Sequence, residues 1–327
     1  MHTSVALTRH QHDLRGLSPR CRQPHHLADG TRKPRTNFLI TLSLALGLFI
    51  SGSVAARAQD DRAVRVGFAE VSEPVLYFEA AGKGPPVVLI HGGNLDRRMW
   101  DEQFQVFAKH FQVIRYDVRT YGLSDMPTKP YSDVEDLASL LRFLHIKKAH
   151  LVGLSPGGRI IIDFALEHPD QVQSLVAVGP GLSGFQWSRD EKQYQLMLRA
   201  AQASQIDAVT ELWLKSPYMA PAMENPALAP RLRQLALDNY RNWLGNPALS
   251  RPIDPPAIGR LNQIKAPTLI LVGSRDVPDI HKIVELLKTG IPHARQEVVP
   301  GAGHMVNMEK PAEFNRLVLG FLKDQSK

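Results

Sequence analysis

Short strand-like runs alternate with amphipathic stretches along most of the chain. Residues 87–90 form a continuous apolar run, which is typical of a strand buried on both faces, and residues 113–116 and 172–178 are further strand-like runs. A helix is predicted to begin at Ser132, because Glu135 completes a capping box and apolar residues then recur at helical spacing. Strands that alternate with helices of about 10–15 residues predict an α/β fold with a mostly parallel, doubly wound sheet.

The two ends of the predicted sheet add further elements. Residues 64–71 and 75–81 alternate between apolar and polar side chains, or nearly so, which predicts a hairpin-like strand pair at one edge. Towards the C-terminus, the predicted elements are a strand at 267–273, a helix at 280–289, a strand near 297–299 and a helix at 311–322.

The alternation of strands and helices breaks between residues 182 and 262, where no strand-like run occurs. Aromatic residues in this segment argue against disorder, and most of them are assigned to its own core. They are Phe185, Trp187, Tyr194, Trp213, Tyr218, Tyr240 and Trp243. Helical stretches are predicted at 193–203, 208–215 and 232–243. We therefore predict a helical cap at 182–262 over the carboxyl edge of the sheet, with the core formed by 59–181 and 263–327.

Residues 1–58 have the three parts of a secretory signal. Basic residues at 32–35 precede an apolar core at 38–50, and Ala56 and Ala58 fit the small-residue rule for cleavage. The alternative is a membrane anchor, but the apolar core is short for a span and contains polar residues. The sequence thus predicts a cleaved signal peptide, a periplasmic or secreted protein and no stable membrane anchor.

The mature protein should begin at Gln59, directly after the predicted cleavage site. Intact-mass measurement on protein from the native cell envelope checks this expectation, and a membrane-bound species that retains residues 1–58 would contradict it. The only cysteine, Cys21, lies in the leader, so the predicted mature chain has neither a disulfide nor thiol chemistry.

The positive charge of the chain also lies mainly in the leader. The whole chain carries a formal net charge of +7, but residues 1–58 contain eight basic and two acidic residues, a net charge of +6. The remainder has 31 basic and 30 acidic residues, a net charge of +1. A nearly neutral body without a basic stripe argues against a nucleic-acid partner.

A Gly-x-Ser-x-Gly motif stands between a strand-like run and a helix-like stretch. Gly153, Ser155 and Gly157 form the motif, with apolar residues at 150–154 before it and at 160–166 after it. A strand, a tight turn and a helix in this order are typical of a nucleophile elbow, from which the serine projects on a strained turn.

A nucleophilic serine needs a base, and the base needs an orienting acid. In a doubly wound sheet, these residues come from loops at the carboxyl ends of the strands. Asp276 lies three residues beyond the strand at 267–273, and His304 follows the last predicted strand. Ser155, Asp276 and His304 therefore form the predicted catalytic triad, and Asp279 is the alternative acid.

These motifs together resemble those of the capped α/β hydrolases, in particular the esterase and 3-oxoadipate enol-lactonase-like branch. The matching residues are His91-Gly92-Gly93-Asn94, Tyr116-Asp117-x-Arg119-x-x-Gly122-x-Ser124, Gly153-x-Ser155-x-Gly157, Asp276 and Gly303-His304. The resemblance implies an α/β-hydrolase fold, an oxyanion loop that uses the N–H of Gly93 or Asn94, and a structural role for His91 beside that loop. We also expect Asp117 and Arg119 to form an ion pair beneath the site.

Two residues depart from the family pattern. Thr120 stands where the family often has glycine. Pro156 has no N–H at the position that supplies one of the family's two oxyanion donors, although proline also starts a helix well. Unless the Asn94 side chain or the Gly157 N–H replaces that donor, the enzyme should be slow on activated esters. Pro156→Ala or Pro156→Met should then raise turnover at least about tenfold.

The sequence thus predicts a serine hydrolase that cleaves a small ester or lactone through an acyl-enzyme, without a metal or a cofactor. The cap aromatics favour an apolar acyl or aryl substrate. The alternatives on the same triad are carbon–carbon bond hydrolysis and cofactor-free perhydrolysis, and a third is ligand binding by a member whose oxyanion hole has decayed. The intact triad favours an enzyme, whereas Pro156 favours the ligand-binding alternative.

Overall fold

A computed structural model describes residues 63–70, 75–188 and 190–327, and the predicted leader lies outside them. Within these residues one sheet contains eight strands: β1 (Arg65–Glu70), β2 (Val75–Ala81), β3 (Pro86–Ile90), β4 (Gln112–Tyr116), β5 (Ala149–Leu154), β6 (Val172–Val178), β7 (Thr268–Gly273) and β8 (Arg295–Val299). The strands lie in the order β1-β2-β4-β3-β5-β6-β7-β8. β1 pairs antiparallel with β2, β2 pairs antiparallel with β4, and the other neighbours are parallel. The predicted edge pair and the mostly parallel sheet are confirmed.

The helices follow the predicted alternation in most places. They are α1 (Asp101–Phe107), α2 (Asp133–Phe143), α3 (Pro156–Glu167), α4 (Glu191–Gln202), α5 (Ile206–Leu214), α6 (Ala220–Met223), α7 (Ala229–Asp238), α8 (Pro278–Gly290), α9 (Val306–Glu309) and α10 (Pro311–Asp324). The helix predicted at 232–243 ends earlier, at Asp238, where Asn239 donates its side-chain amide back to the Leu235 carbonyl (2.8 Å). No helix in the described part of the chain is long and apolar enough to cross a membrane.

Side chains that alternate along the central strands separate two apolar layers. On β3, Val88 and Ile90 belong to one buried cluster, whereas Val87 and Leu89 belong to the other. Helices α2, α3 and α8 cover the first face, and α1 and α10 cover the second. Because both faces are covered, every residue of β5 is buried, and the loops after the strands are held on a rigid frame.

Helices α4 to α7 lie between β6 and β7 and contact the loops at the carboxyl ends of the strands. Arg231 of α7 donates to the Arg98 carbonyl (2.8 Å), which follows β3. Glu224 beside α6 forms a two-bond ion pair with Arg275, which follows β7 (2.7 and 2.8 Å). The helical cap is thus seated over the expected edge of the sheet, while its exact borders at 182 and 262 stay a prediction.

His150 on β5 gives the fold a predictable response to acid. Its ring is buried, with Nδ1 at 2.7 Å from the Ser174 hydroxyl and Nε2 at 3.0 Å from the Ser326 hydroxyl. Burial lowers the pKa of His150 from 6.5 to about 4. The unfolded chain therefore binds a proton near pH 6.5 that the folded chain still excludes, so stability present above that pH is lost as the pH falls towards 4.

We predict that the free energy of unfolding falls between pH 7 and 4.5 by about 2 kcal/mol more in the wild type than in His150→Asn. Denaturant titrations of both proteins at the two pH values measure this difference. Other titrating groups are common to both proteins and cancel in the comparison. Equal losses in the two proteins would show that His150 is not the group responsible.

Candidate active site

Ser155 occupies the turn between β5 and α3 with a backbone conformation that is rare outside glycine. Its φ is 57° and its ψ is −117°, so the residue is held in a strained position at the end of the strand. A Cβ at Gly153 would lie 2.2 Å from the Gly157 carbonyl oxygen, and one at Gly157 would lie 2.3 Å from the Ile90 carbonyl oxygen. The two glycines of the motif therefore permit the close backbone approaches that thrust Ser155 out of the turn.

Asp276 and His304 meet at the ends of β7 and β8. Nδ1 of His304 lies 2.9 Å and 3.1 Å from the two carboxylate oxygens of Asp276, and both residues are buried. Asp276 also accepts the N–H of Val277 at 2.7 Å, which fixes the carboxylate. Because Nδ1 is bound to the carboxylate, Nε2 is the ring nitrogen that remains for proton transfer.

Asp279, the alternative acid, has other partners. It accepts the backbone N–H of Ser188 at 2.5 Å and pairs with Lys282 at 3.0 Å. These bonds lower its pKa against the effect of burial, which raises it, and join the start of α8 to the chain that leads into the cap. The structure thus brings Asp276 to His304 and leaves Asp279 in a structural contact.

Two features around this pair are absent from the sequence prediction. Glu309 at the end of α9 accepts the N–H groups on both sides of His304, from Gly303 at 2.8 Å and from Met305 at 3.0 Å. Gly179 has a φ of +44°, and a Cβ there would lie 3.0 Å from Asp276 Oδ2. The glycine after β6 therefore leaves room for Asp276, and Glu309 fixes the loop that carries His304.

The oxyanion loop predicted at Gly93 and Asn94 passes directly over the elbow. A Cβ at Gly92 would lie 3.9 Å from the Ser155 Cβ, and one at Gly93 would lie 3.6 Å from the Pro156 Cγ. Pro156 is the first residue of α3, so the helix begins without an N–H at that position. Gly93, Asn94 and Ser155 all reach the same cavity, as the resemblance implies.

Both ring nitrogens of His91 have backbone hydrogen-bond partners. Its Nδ1 lies 2.8 Å from the Gly92 carbonyl, and its Nε2 accepts the N–H of Val118 at 2.9 Å. Burial lowers its pKa and keeps the ring neutral. The ring therefore holds together the loops that follow β3 and β4, and it has no nitrogen left for the cavity.

The prediction that Asp117 and Arg119 form an ion pair is wrong. Asp117 pairs with Arg97 at 2.8 Å, and Arg119 forms a two-bond pair with Asp136 on α2. The two residues are only two apart, but the turn after β4 sends their side chains towards different neighbours, the first beneath the oxyanion loop and the second towards α2. Each charge is thus compensated, but by a residue distant in sequence.

One cavity of about 670 Å³ contains Ser155 and His304 on its wall. The assignment of most cap aromatics to the cap's own core needs correction, because five of the seven line this cavity. They are Trp187, Tyr194, Trp213, Tyr218 and Trp243. Tyr218 stands edge-on to the His304 ring with 5.1 Å between the centroids. The space next to the elbow is therefore broad, and aromatic side chains of the cap line it.

Comparison with known proteins agrees with this geometry. Residues 85–311 match the family described as the alpha/beta hydrolase fold. The chain belongs to this family. It is 28% identical over 293 residues to a 2-hydroxy-6-oxo-6-phenylhexa-2,4-dienoate hydrolase of Comamonas testosteroni, covering 79% of this chain and 96% of the relative.

Two further relatives show the range of activities near this hydrolase. A 2-hydroxy-6-oxononadienedioate/2-hydroxy-6-oxononatrienedioate hydrolase of Burkholderia vietnamiensis is 32% identical over 269 residues, covering 76% of this chain and 91% of the relative. The crystal structure of the enol-lactonase from Burkholderia xenovorans LB400 superposes with a TM-score of 0.67 at 25% identity, covering 79% of this chain and 100% of that one. The names of these relatives describe hydrolases of small molecules.

The hydrolase has a second, more polar cavity of about 310 Å³, and Pro156 is one of the residues that line it. Tyr194 and Trp243 border both cavities and separate them. Each cation on the described walls of the two cavities is paired with a carboxylate; the pairs are Lys282–Asp279, Arg119–Asp136 and Arg159–Asp133. In the part of the chain that the structure describes, no group of three or more His, Cys, Asp or Glu side chains is arranged to hold a metal ion.

Proposed function

We propose that this hydrolase cleaves a small, neutral ester or lactone with an apolar acyl or aryl part, through an acyl-enzyme on Ser155. The observation that carries the proposal is the bond between His304 Nδ1 and Asp276, on the wall of a cavity that Ser155 enters from a strained turn. A base held in one tautomer next to an exposed hydroxyl is the arrangement that activates a serine.

The reaction follows from this arrangement. Ser155 Oγ bonds to the substrate carbonyl carbon while its proton passes to His304 Nε2, and the carbonyl oxygen becomes an oxyanion. The bond to the leaving alcohol then breaks, and the alcohol takes the proton from His304. A water molecule adds to the acyl-enzyme by the same route, its proton passing through His304 to Ser155 as the acid leaves. Asp276 keeps Nδ1 protonated and stabilises the imidazolium.

The walls of the site favour a neutral and apolar substrate. Five aromatic side chains, together with Met197 and Met219, offer apolar surface around Ser155. The dienoate named for the Comamonas relative carries a carboxylate, and recognition of that group calls for a cation. Every cation on the described walls is already bound to a carboxylate, so the site favours an uncharged ester or lactone.

Carbon–carbon bond hydrolysis on the same three residues is the second candidate. The observation in its favour is the identity of 28–32% to hydrolases named for 2-hydroxy-6-oxo-dienoate substrates, which contain no ester bond. The same serine and histidine serve either bond, so the choice depends on substrate recognition rather than on the triad.

A fluorophosphonate probe together with a substrate panel tests the proposal. The probe should modify Ser155 in the wild type and in Ser204→Ala, a matched control that also places alanine at positive φ, and should not modify Ser155→Ala. The panel consists of p-nitrophenyl butyrate, dihydrocoumarin and 2-hydroxy-6-oxo-6-phenylhexa-2,4-dienoate. The first two should be turned over faster. Preference for the dienoate would support the second candidate. Absence of both labelling and turnover would leave ligand binding as the remaining alternative.

A further inference from the structure

Asn94 of the oxyanion loop presents a side-chain amide at the site where Pro156 has removed a backbone donor. Asn94 follows Gly93, which lies against the Pro156 ring, and it lines the cavity that Ser155 enters. The residue is 9% exposed, so its carboxamide is nearly enclosed by protein. A buried amide needs hydrogen-bond partners, and where these lie decides which end of it faces the cavity.

Asn242 from the cap determines the orientation of that amide. The Asn242 Nδ2 group donates to Asn94 Oδ1 at 2.9 Å, and the Asn242 Oδ1 atom accepts the Thr120 hydroxyl at 3.2 Å. The Thr120 hydroxyl and the two amides therefore form one directed chain. The oxygen of Asn94 is occupied, while within the described residues its NH₂ group has no hydrogen-bond partner and remains for the cavity.

The backbone supports the same interpretation. Asn94 has a φ of 57°, a conformation that asparagine tolerates better than most residues. Thr120 has a φ of 78°, which is costly for a β-branched residue and explains why glycine is common there in the family. Glycine has no hydroxyl, however, so the strained threonine supplies the first link of the chain that orients Asn94.

We propose that the side-chain NH₂ of Asn94 is the oxyanion donor that replaces the missing N–H of Pro156, and that Asn242 is its positioning residue. This inference rests on the serine hydrolase function proposed above. A fixed amide N–H directed at the developing oxyanion stabilises the transition state without reorganisation, as a backbone donor does.

The donor consequently depends on how the cap is seated. Asn239, three residues before Asn242, accepts the Gly122 N–H at 2.7 Å and donates to Asp96 at 2.8 Å. The segment 239–242 thus binds both the loop after β3, which carries Asn94, and the loop after β4. The contacts that seat the cap on the sheet therefore include the one that orients Asn94.

Steady-state kinetics on p-nitrophenyl butyrate tests the role of Asn94. Asn94→Gly keeps the positive φ and removes the amide, and it should lower kcat by about 10²-fold with little change in KM. Asn94→Asp is nearly isosteric but cannot donate when ionised, and it should lower kcat at least as much. Asn225→Ala, an exposed cap asparagine away from the site, is the matched control and should leave kcat unchanged.

Asn242 is tested by the direction of its hydrogen bond. Asn242→Ala should lower kcat about three- to thirtyfold, because Asn94 loses its fixed orientation. Asn242→Asp should be worse than Asn242→Ala, because the carboxylate attracts the Asn94 NH₂ and turns it away from the cavity. A merely structural role would make the two variants equal in kcat, or would make the isosteric aspartate the milder change.

A double-variant cycle with Pro156 decides between the possible donors. Pro156→Ala should raise turnover at least about tenfold in Asn94→Gly, where the hole lacks a donor, and by clearly less than that in the wild type, where Asn94 already supplies one. A tenfold rise in the wild type would mean that its hole is defective, and would overturn the inference. An Asn94→Gly enzyme with full kcat would overturn it too and would indicate the Gly157 N–H.

Failure of this inference is distinct from failure of the proposed function. Fluorophosphonate labelling of Ser155 and ester turnover by the wild type establish the function whatever the Asn94 variants do. Thermal melting of each variant checks that it is folded. Should Asn94→Gly fail to fold, Asn94→Asp carries the same test, since it preserves the size of the side chain.

Discussion

Ser155→Ala and His304→Ala should each lower kcat on a p-nitrophenyl ester by about 10⁴-fold or more. Without the Ser155 hydroxyl no acyl-enzyme forms, and without His304 no group at the elbow accepts the proton of that hydroxyl. The double variant should be barely slower than either single variant, because the two residues act as one unit. Discontinuous assays, in which the reaction runs for hours before the product is quantified, can measure rates this low.

Two control variants distinguish a loss of catalysis from a loss of folding in this comparison. Ser204 also has positive φ, 54°, so Ser204→Ala likewise places an alanine at positive φ, but Ser204 lies outside the cavity lining. His281 on α8 is likewise outside that lining, and His281→Ala serves as the histidine control. Both controls should keep kcat within about threefold of the wild type. Additive losses in the double variant would contradict a shared role.

The sheet and the elbow were predictable because local sequence determines them. Short apolar runs such as β3 are typical of strands buried on both faces, and a Gly-x-Ser-x-Gly motif between a strand and a helix fixes the elbow within a few residues. Asp276 and His304 followed from the rule that the ends of parallel strands meet at one edge, together with the chain order Ser, Asp, His of the triad, and Asp279 was the alternative acid. Each of these inferences rests on residues that are close in the chain or on one architectural rule.

The hydrogen-bond and ion-pair partners of the site residues were harder to predict from the sequence. Asn242 contacts Asn94 across 148 positions, and nothing in the periodicity of the cap distinguishes it from its neighbours. The Arg97–Asp117 pair likewise depends on how two loops pack, which is why Arg119 was the wrong choice. Glu309 had a weak local signal, a carboxylate five residues after the histidine, but its two N–H partners become visible only in three dimensions.

Substitution of Asp276 should give the second large effect. Comparison with the same substitution at Asp279 distinguishes the roles of these two neighbouring carboxylates. Asp276→Asn should lower kcat by about 10³–10⁴-fold near pH 7 while the protein stays folded. An asparagine that turns its NH₂ towards His304 Nδ1 requires that nitrogen to be unprotonated, so the ring proton moves to Nε2. A ring protonated at Nε2 cannot accept the Ser155 proton, although every group remains near its place.

Asp279→Asn is the matched control, since it makes the same chemical change three residues away. Its oxygen can still accept the Ser188 N–H, and Asp279 has no contact with His304, so kcat should stay within about threefold. Kinetics of both variants on one ester, with thermal melts alongside, measure the contrast.

Normal kcat in Asp276→Asn and a large loss of kcat in Asp279→Asn would mean that the acid moves during turnover and that the pair at 2.9 Å is not the catalytic one. Because Gly179 leaves space beside Asp276 and His304, and Asp279 is held by the chain that enters the cap, we expect the opposite result.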